Sequence, residues 1–435
     1  MNATAQAGTA VTVAAAPGIE PRLVRPAAAV ESHSAYLPGG GYALLDNVET
    51  LLGDVERSGL LGRGGAAFPL AVKLRTVRAA HLRGHPTVVV ANGEEGEPAS
   101  VKDRWLLRHR PHLIIDGVRL AARVVGAAHA YIYVSDSAAA AAVDAALAEV
   151  GFDTLGGLEV SVVTVSPGYV AGEETAAVRV INGGPAKPTD KPPRPFQHGV
   201  AGHPTLVSNV ETLANLPYLL AHGAAQFRAA GTDASPGTFL VTVTGAGRPA
   251  GLYEIPHGLP FTELLALHGV SAESVRGALM GGYFAGLLDR RVLGTTLDHE
   301  TLRAAGSGLG CGAIAVLTDE CPVAVAASVL AYFDRENAGQ CGSCFNGTAA
   351  MAAAAGALRD GAAGAEDVAR LRRWSQVLRG RGACATLDGA ANVAASLLAQ
   401  FPDLVEQHLS GACETCRAGA FIAQRPFEVE TVARS

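Results

Sequence analysis

The stretch Gly62-Arg63-Gly64-Gly65-Ala66-Ala67-Phe68-Pro69, followed by Lys73, has the makings of an anion cradle. Glycines let successive backbone N–H groups turn toward one anion, and the N-terminus of a following helix adds its dipole. The stretch matches G-x-G-x-x-A, but residues 54–61 read as a helix end where an ordinary dinucleotide fold needs a strand. A glycine-rich surface loop is the plain alternative. A second segment, Asn92-Gly93-Glu94-Glu95-Gly96-Glu97-Pro98, follows the apolar run Val88 to Val90. Three carboxylates in four residues bind phosphate poorly, but with an amide they can hydrogen-bond a flavin ring, ribose hydroxyls or a nicotinamide amide; a solvated acidic turn is the alternative. Two further segments carry polar residues in unusual settings. One is Gly172-Glu173-Glu174-Thr175. The other is the Pro-stiffened Lys187-Pro188-Thr189-Asp190-Lys191-Pro192-Pro193, leading to Pro204 and on to Asn209-Val210-Glu211-Thr212, which also reads as a rigid linker.

Seven cysteines crowd the last third of the chain, at 311, 321, 341, 344, 384, 413 and 416. An odd number in a long chain is not the framework of a small secreted protein, so intracellular metal or cluster chemistry fits better. Cys341, Cys344 and the distant Cys384 are the ligand candidates, and Cys413 and Cys416 form a C-x-x-C pair able to ligate a metal or form a disulfide. Cys311 and Cys321 read as small core residues.

The surrounding elements must hold these groups in place. With 435 residues the chain has room for roughly two to four domains. Its net charge of −6 offers no basic field for a nucleic-acid backbone. Lysine occurs only at 73, 102, 187 and 191 in an Arg-rich chain, so each position draws interest, because a compact ammonium can act where a guanidinium fork cannot. The apolar, small residues 1–29 read as a flexible arm without the cationic start of a signal peptide. No apolar run is long enough to span a bilayer, so a soluble, cytoplasmic chain is expected. Residues 30–235 alternate strand-like and helix-like patterns, as in an α/β domain. Residues 236–321 read as hairpin, helix and returning strand, a small α+β unit. From 322 to 405 the pattern is helical: Pro322–Glu336, Thr348–Leu358, Glu366–Leu378 and Asp388–Phe401, the last with Asp388 as N-cap. Four short helices with short links predict a bundle. Residues 406–435 read as a tail bearing the C-x-x-C.

Taken in order, the four polar segments resemble the FMN-binding, NADH-oxidising subunits of respiratory NADH dehydrogenase and of related NAD-reducing hydrogenases and formate dehydrogenases. Their GRGGAGFP, N-x-D/E-E-x-E-P, GEET and KPP…G-x-PT…N-V-E-T motifs all have counterparts, and the resemblance runs from about residue 40 to about 400. It implies an α/β FMN-binding domain, a β-grasp domain of the soluble-ligand-binding type, and a C-terminal four-helix bundle holding a [4Fe–4S] cluster. Gly62, Arg63, Gly64, Gly65 and Lys73 would then hold the FMN phosphate. Asn92, Glu94 and Glu95 would face the isoalloxazine and ribityl chain, with Gly172, Glu173, Asn209 and Thr212 closing the pocket. Phe68, Glu97, Glu174 and Lys191 would meet the nicotinamide nucleotide. Hydride would pass directly between stacked rings, with no catalytic side chain.

Three positions depart from the family pattern. Aromatics that flank the adenine are replaced by Arg194 and Thr76, which leaves NADH and NADPH both open. The first cysteine of the cluster signature E-S-C-G-x-C-x-P-C is Ala338, and alanine offers an iron no bond. A three-iron cluster or outside ligand, rescue by Cys413 or Cys416, or no cluster at all remain open. With a cluster, electrons would continue to a ferredoxin-like or thioredoxin-like partner subunit, and the chain could sit at a membrane through such partners. Without one, it reads as a cluster-free flavin oxidoreductase or as a degenerate scaffold.

Overall fold

A computed structural model describes residues 11–25 and 30–430. Its ten strands are β1 (Thr12–Ala15), β2 (Val88–Asn92), β3 (His129–Val134), β4 (Glu159–Thr164), β5 (Thr205–Asn209), β6 (Thr238–Gly245), β7 (Gly251–Pro256), β8 (Gly277–Met280), β9 (Leu287–Asp289) and β10 (Ala313–Leu317).

The run Val88-Val89-Val90-Ala91 is fully buried, as β-branched residues in a parallel sheet covered on both faces should be. It forms the middle of a four-stranded, all-parallel sheet of order β4-β3-β2-β5. Helices make the crossovers. Pro111–Val125, with Pro at its first turn where the missing N–H is harmless, is buried over nearly its whole surface. From β2 the chain moves to β3 and β4 on one side, then returns to place β5 on the other. The strand order therefore reverses between β2 and β5, and a crevice opens at their carboxyl ends, where open α/β sheets place ligands.

The second sheet has six strands in the order β1-β7-β6-β10-β8-β9. Strands β6/β7, β8/β10 and β8/β9 pair antiparallel, whereas β1/β7 and β6/β10 run parallel. The helix Phe261–His268 packs on this sheet through Phe261, Leu264 and Leu265. Strand β1 corrects the expectation of a flexible arm: Thr12–Ala15 joins the sheet, and Ala16, Leu23 and Val24 are buried. The cause is Glu254, a carboxylate with no exposure, which accepts the backbone N–H groups of Arg22, Leu23 and Val24 at 2.8–3.0 Å. The remainder of that arm, residues 1–10 and 26–29, lies outside the described residues.

The helical region contains Pro322–Glu336, Gly342–Arg359, Ala365–Val377 and Thr386–Gln400 around a shared core that includes Val329, Phe333, Met351 and Leu397. Two boundaries differ from expectation. The second helix starts six residues before Thr348, because the weak formers Gly342 to Gly347 hide a turn nucleated at Cys341, whose carbonyl takes the N–H of Phe345. Asp388 is not an N-cap: it lies inside the first turn of its helix, and its carboxylate accepts the N–H of Gly380 at 2.7 Å. The expected tail is also structured, through helices Pro402–Leu409 and Glu414–Gly419. Among the described residues no helix is long and apolar enough to cross a membrane.

Candidate functional site

The helix Val48–Ser58 precedes the glycine segment, so the loop does follow a helix rather than a strand. Its neck is closed by Gly62 N–H donating to the Phe68 carbonyl at 2.9 Å and Leu70 N–H to that of Leu60 at 3.1 Å. Helix Leu70–His81 leaves directly from it. The loop lies against the strand-order reversal: a β-carbon on Gly64 would stand 3.2 Å from that of Asn209, and Arg63 N–H donates to Thr212 Oγ1 at 2.8 Å. Gly65 holds φ +109°, a conformation side-chain-bearing residues rarely adopt. The N–H groups of Gly64, Gly65 and Ala66 make no hydrogen bond of good geometry to the described residues. Turned-out N–H groups on a pinned loop fit a phosphate.

Arg63 contributes backbone rather than charge. Its buried guanidinium donates to His257 Nε2 at 2.7 Å and the Thr238 carbonyl at 3.1 Å. Burial, reinforced by that cation, holds His257 well below the usual imidazole range. Lys73 remains near the loop, donating to the Val207 carbonyl at 3.0 Å and lying 3.7 Å from Glu174. Burial lowers its pKa, and Glu174 opposes the shift.

Asn92 and Asn209 end β2 and β5 and are register partners, which places two amides side by side in the crevice. Asn92 Nδ2 donates to the Gly172 carbonyl at 2.7 Å; Asn209 caps the next helix through Glu211 N–H and donates to Asp103 at 2.7 Å. Of the acidic turn, only Glu94 keeps a buried carboxylate oxygen without a partner among the described residues. Burial pushes its pKa up to about 7, so near neutral pH it can donate an O–H or accept. Glu95 is consumed by Arg104 and by the N–H groups of Asp103 and Arg104. Glu97 turns away toward the N–H groups of Ala99 and Tyr283, and burial raises it to about 7 as well. Glu173 caps helix Glu174–Ile181 and pairs with Lys191 at 2.6 Å. Phe68 is exposed, with Lys73 6.0 Å from its ring centroid, and Arg194 lies 3.8 Å from Glu174.

Glu94 and Glu97 have a pH consequence. Their folded pKa values exceed the ordinary 4.5, so between about pH 4.5 and 7 the unfolded chain releases protons that the native state keeps. Stability conferred by the neutral carboxyls is present below that window and lost as pH rises through it. Glu94→Gln in flavin-free protein is expected to flatten this decline and to raise stability at pH 8 by about 1–3 kcal/mol. Urea titrations from pH 4.5 to 8 measure it; parallel wild-type and variant curves would contradict the burial argument.

Beneath the crevice is a network to which sequence reasoning gave no role. Lys102 Nζ, 1% exposed, lies 2.7 Å from Asp103 and 2.9 Å from Glu211, and Glu211 also accepts Leu240 N–H. The two carboxylates keep the ammonium charged despite burial. The only sequence signals were the scarcity of lysine and the Glu within Asn209-Val210-Glu211-Thr212.

A second pocket is lined by Pro188, Ala338, Gly339, Gln340, Cys341, Cys344, Gly382, Ala383 and Cys384. The three candidate ligands from distant positions thus converge, with Ala338 on the same wall. Cys341 Sγ accepts the N–H of Ala383 at 3.4 Å. Burial, with Cys384 and Cys341 nearby, pushes the Cys344 thiol up to about 12. These residues fit a cluster held by three thiolates. Cys413 and Cys416 do not line this pocket; they are buried beside Cys321 and His408. The Lys187–Pro193 segment connects the two pockets: Gln340 donates to the Pro188 carbonyl at 2.8 Å, and Thr189 N–H to Thr175 at 2.9 Å. Tyr169 packs edge-on against Tyr332 and Phe333, and burial, with smaller contributions from Glu97 and Cys384, raises its phenol well above the usual range.

Comparison with known proteins finds two matched regions. Residues 55–218 match the Nuo51 FMN-binding domain, and residues 324–408 match the NADH-ubiquinone oxidoreductase-F iron-sulfur binding region. An NADH-quinone oxidoreductase F subunit of Rhizobium meliloti (strain 1021) is 33% identical over 395 residues, covering 86% of this chain and 93% of that protein. NADH dehydrogenase [ubiquinone] flavoprotein 1, mitochondrial, of Dictyostelium discoideum is 31% identical over 403 residues, covering 87% and 84%. Among solved structures, a chain of an NAD+-reducing [NiFe]-hydrogenase in the H2-reduced state superposes with a TM-score of 0.78 at 29% identity, over 88% of this chain and 68% of that one. With this identity spanning nearly the full length of the relatives, the chain belongs to the family of NADH-quinone oxidoreductase F subunits.

Proposed function

We propose that this chain is the NADH-oxidising flavoprotein subunit of a larger redox assembly, taking hydride from NADH and delivering electrons singly through an iron–sulfur centre to a partner subunit. The observation that carries this reading is the convergence of an unpartnered N–H cradle, two register-matched asparagines and the unpaired Glu94 oxygen on one strand-order reversal. Bound FMN supplies the chemistry that the side chains lack, accepting two electrons together and releasing them one at a time.

In this reading the N–H groups of Gly64, Gly65 and Ala66, with Lys73, bind the phosphate, and Gly62 keeps the neck of their loop closed. Asn92, Asn209 and Glu94 flank the ring, with Gly172 and Thr212 shaping the walls. Glu95, Glu173 and the Arg63 side chain serve by holding the surrounding elements. The exposed Phe68 offers a face to the nucleotide beside Glu174 and Lys191, and the Gly96–Glu97 turn borders that opening. Cys341, Cys344 and Cys384 hold the cluster, with the position facing Ala338 left to a ligand other than thiolate.

The finer architecture follows. The strand order β7-β6-β10-β8-β9 with a helix laid across it supports a β-grasp unit over residues 236–321, between an FMN domain at 30–235 and a four-helix cluster bundle at 322–405. The next acceptor is a ferredoxin-like or thioredoxin-like subunit, and any membrane association is peripheral, through such partners.

Anaerobic purification, FMN and iron quantitation, and a visible spectrum before and after NADH test the proposal. Flavin bands bleached by NADH together with bound iron are expected; absence of flavin would overturn it. Flavin with no iron would favour the simpler reading that Ala338 invites, a cluster-free flavin oxidoreductase. Cys344→Ser is expected to remove most of the iron while FMN stays bound, because the two pockets share no lining residue.

A further inference from the structure

We infer a second metal site, separate from the cluster pocket: a closed, single-ion zinc site made by Cys321, His408, Cys413 and Cys416. The four donor atoms lie within 4.8 Å of one another and all four residues are buried. None of the seven cysteines is in a disulfide. The donors come from three places: Cys321 immediately before helix Pro322–Glu336, His408 near the end of Pro402–Leu409, and the C-x-x-C pair at the start of Glu414–Gly419.

The chemistry is specific to a small thiophilic ion. Three thiolates and one imidazole form a common structural zinc set, and zinc–sulfur bonds of about 2.3 Å place tetrahedral donors about 3.8 Å apart. Cys321 Sγ and His408 Nε2 are already 3.5 Å apart. His408 is oriented from behind, with Nδ1 donating to the Leu358 carbonyl at 2.9 Å. That bond fixes the tautomer whose Nε2 lone pair faces the sulfurs, the usual outer support of a metal-binding histidine. Cys413 Sγ accepts the N–H of Cys416 at 3.4 Å, a contact suited to thiolate. An iron–sulfur cluster is excluded by crowding, because its own iron and sulfide atoms would have to fit among donors already at single-ion spacing. The matched iron–sulfur region covers 324–408, so the three cysteines fall outside it. Cys321 is buried in the core, as its sequence reading expects, and the zinc site gives it a ligand role besides.

The site fastens a segment that returns to the flavin crevice. Beyond Cys416, Ser328 Oγ donates to the Phe421 carbonyl at 3.2 Å, Val429 N–H to the Pro98 carbonyl at 3.0 Å, and Arg104 to the Glu430 carbonyl at 3.1 Å. Pro98 ends the acidic turn, so the ion secures a strap across its back.

The test is metal analysis of the full chain, purified anaerobically without chelator from medium containing both zinc and iron. About one zinc per chain is expected, unchanged in Cys344→Ser and reduced at least tenfold in Cys416→Ser. Should Cys416→Ser fail to fold, wild-type protein exchanged with Co2+ replaces it, and an intense tetrahedral cobalt–thiolate spectrum is expected. Wild-type protein without zinc, a Cys413–Cys416 disulfide found by mass spectrometry, iron at these four residues, or zinc lost in Cys344→Ser would each overturn the assignment. None of these outcomes depends on flavin content or NADH oxidation, so the site stands or falls separately from the proposed function.

Discussion

Lys102→Met is expected to lower the unfolding free energy of the chain by about 3–5 kcal/mol, the usual cost of removing one partner from a buried ion pair. Methionine nearly matches the volume of lysine, so little of that loss would come from a cavity. The cost arises because Asp103 loses its buried cation and Glu211 keeps only the Arg63 guanidinium, 4.0 Å away. Asp103 also accepts from Asn209, so the carboxyl end of β5 should loosen with it. Urea midpoints at constant m measure the change. The triple variant Lys102→Met/Asp103→Asn/Glu211→Gln should recover much of the loss, since it removes the charges together. A single-variant cost below about 1 kcal/mol would show that the lysine does not hold this floor together.

Gly65→Val should yield a folded chain that purifies with little or no FMN. Valine at φ +109° costs about 1–3 kcal/mol in backbone strain, and the loop can relieve it by rotating its N–H groups out of alignment. Two charge-assisted hydrogen bonds lost at about 1.5 kcal/mol or more each weaken FMN binding by roughly 100-fold or more. The closed neck at Gly62 and Leu70 should confine the damage to the loop, leaving far-ultraviolet dichroism unchanged. Flavin fluorescence titration of the stripped protein checks it; wild-type affinity would mean that this loop is not the phosphate cradle.

Local order was legible in the sequence, and side-chain direction was not. The valine run of β2, the hairpin of β6 and β7 and the helix Pro322–Glu336 carry their periodicities openly, and the four polar segments all reach one end of the parallel sheet. Spacing along the chain, however, does not say which way a side chain turns once distant elements meet. Arg63 resembles a phosphate ligand until His257 and Thr238 draw it inward. Glu95 and Glu173 sit in acidic motifs, yet nearby backbone N–H groups claim them as caps. The partnership of Cys321 with His408 joins residues 87 apart, and no local pattern marks a histidine in an amphipathic helix as a ligand. Glu254 was equally hidden: an acidic residue within a strand gives no hint that it will gather a remote N-terminal segment.

Strand β1 also sets the order in which the molecule can be assembled as it is made. All four strands of the parallel sheet lie between residues 88 and 209, so that sheet is complete while translation is still short of β7. Thr12 must wait for Gly251, a delay on the order of ten seconds or more at ordinary elongation rates. Until then the earliest strand has no partner beside a finished α/β layer, yet once β7 is made it can close its edge of the mixed sheet before β8, β9 and β10 exist.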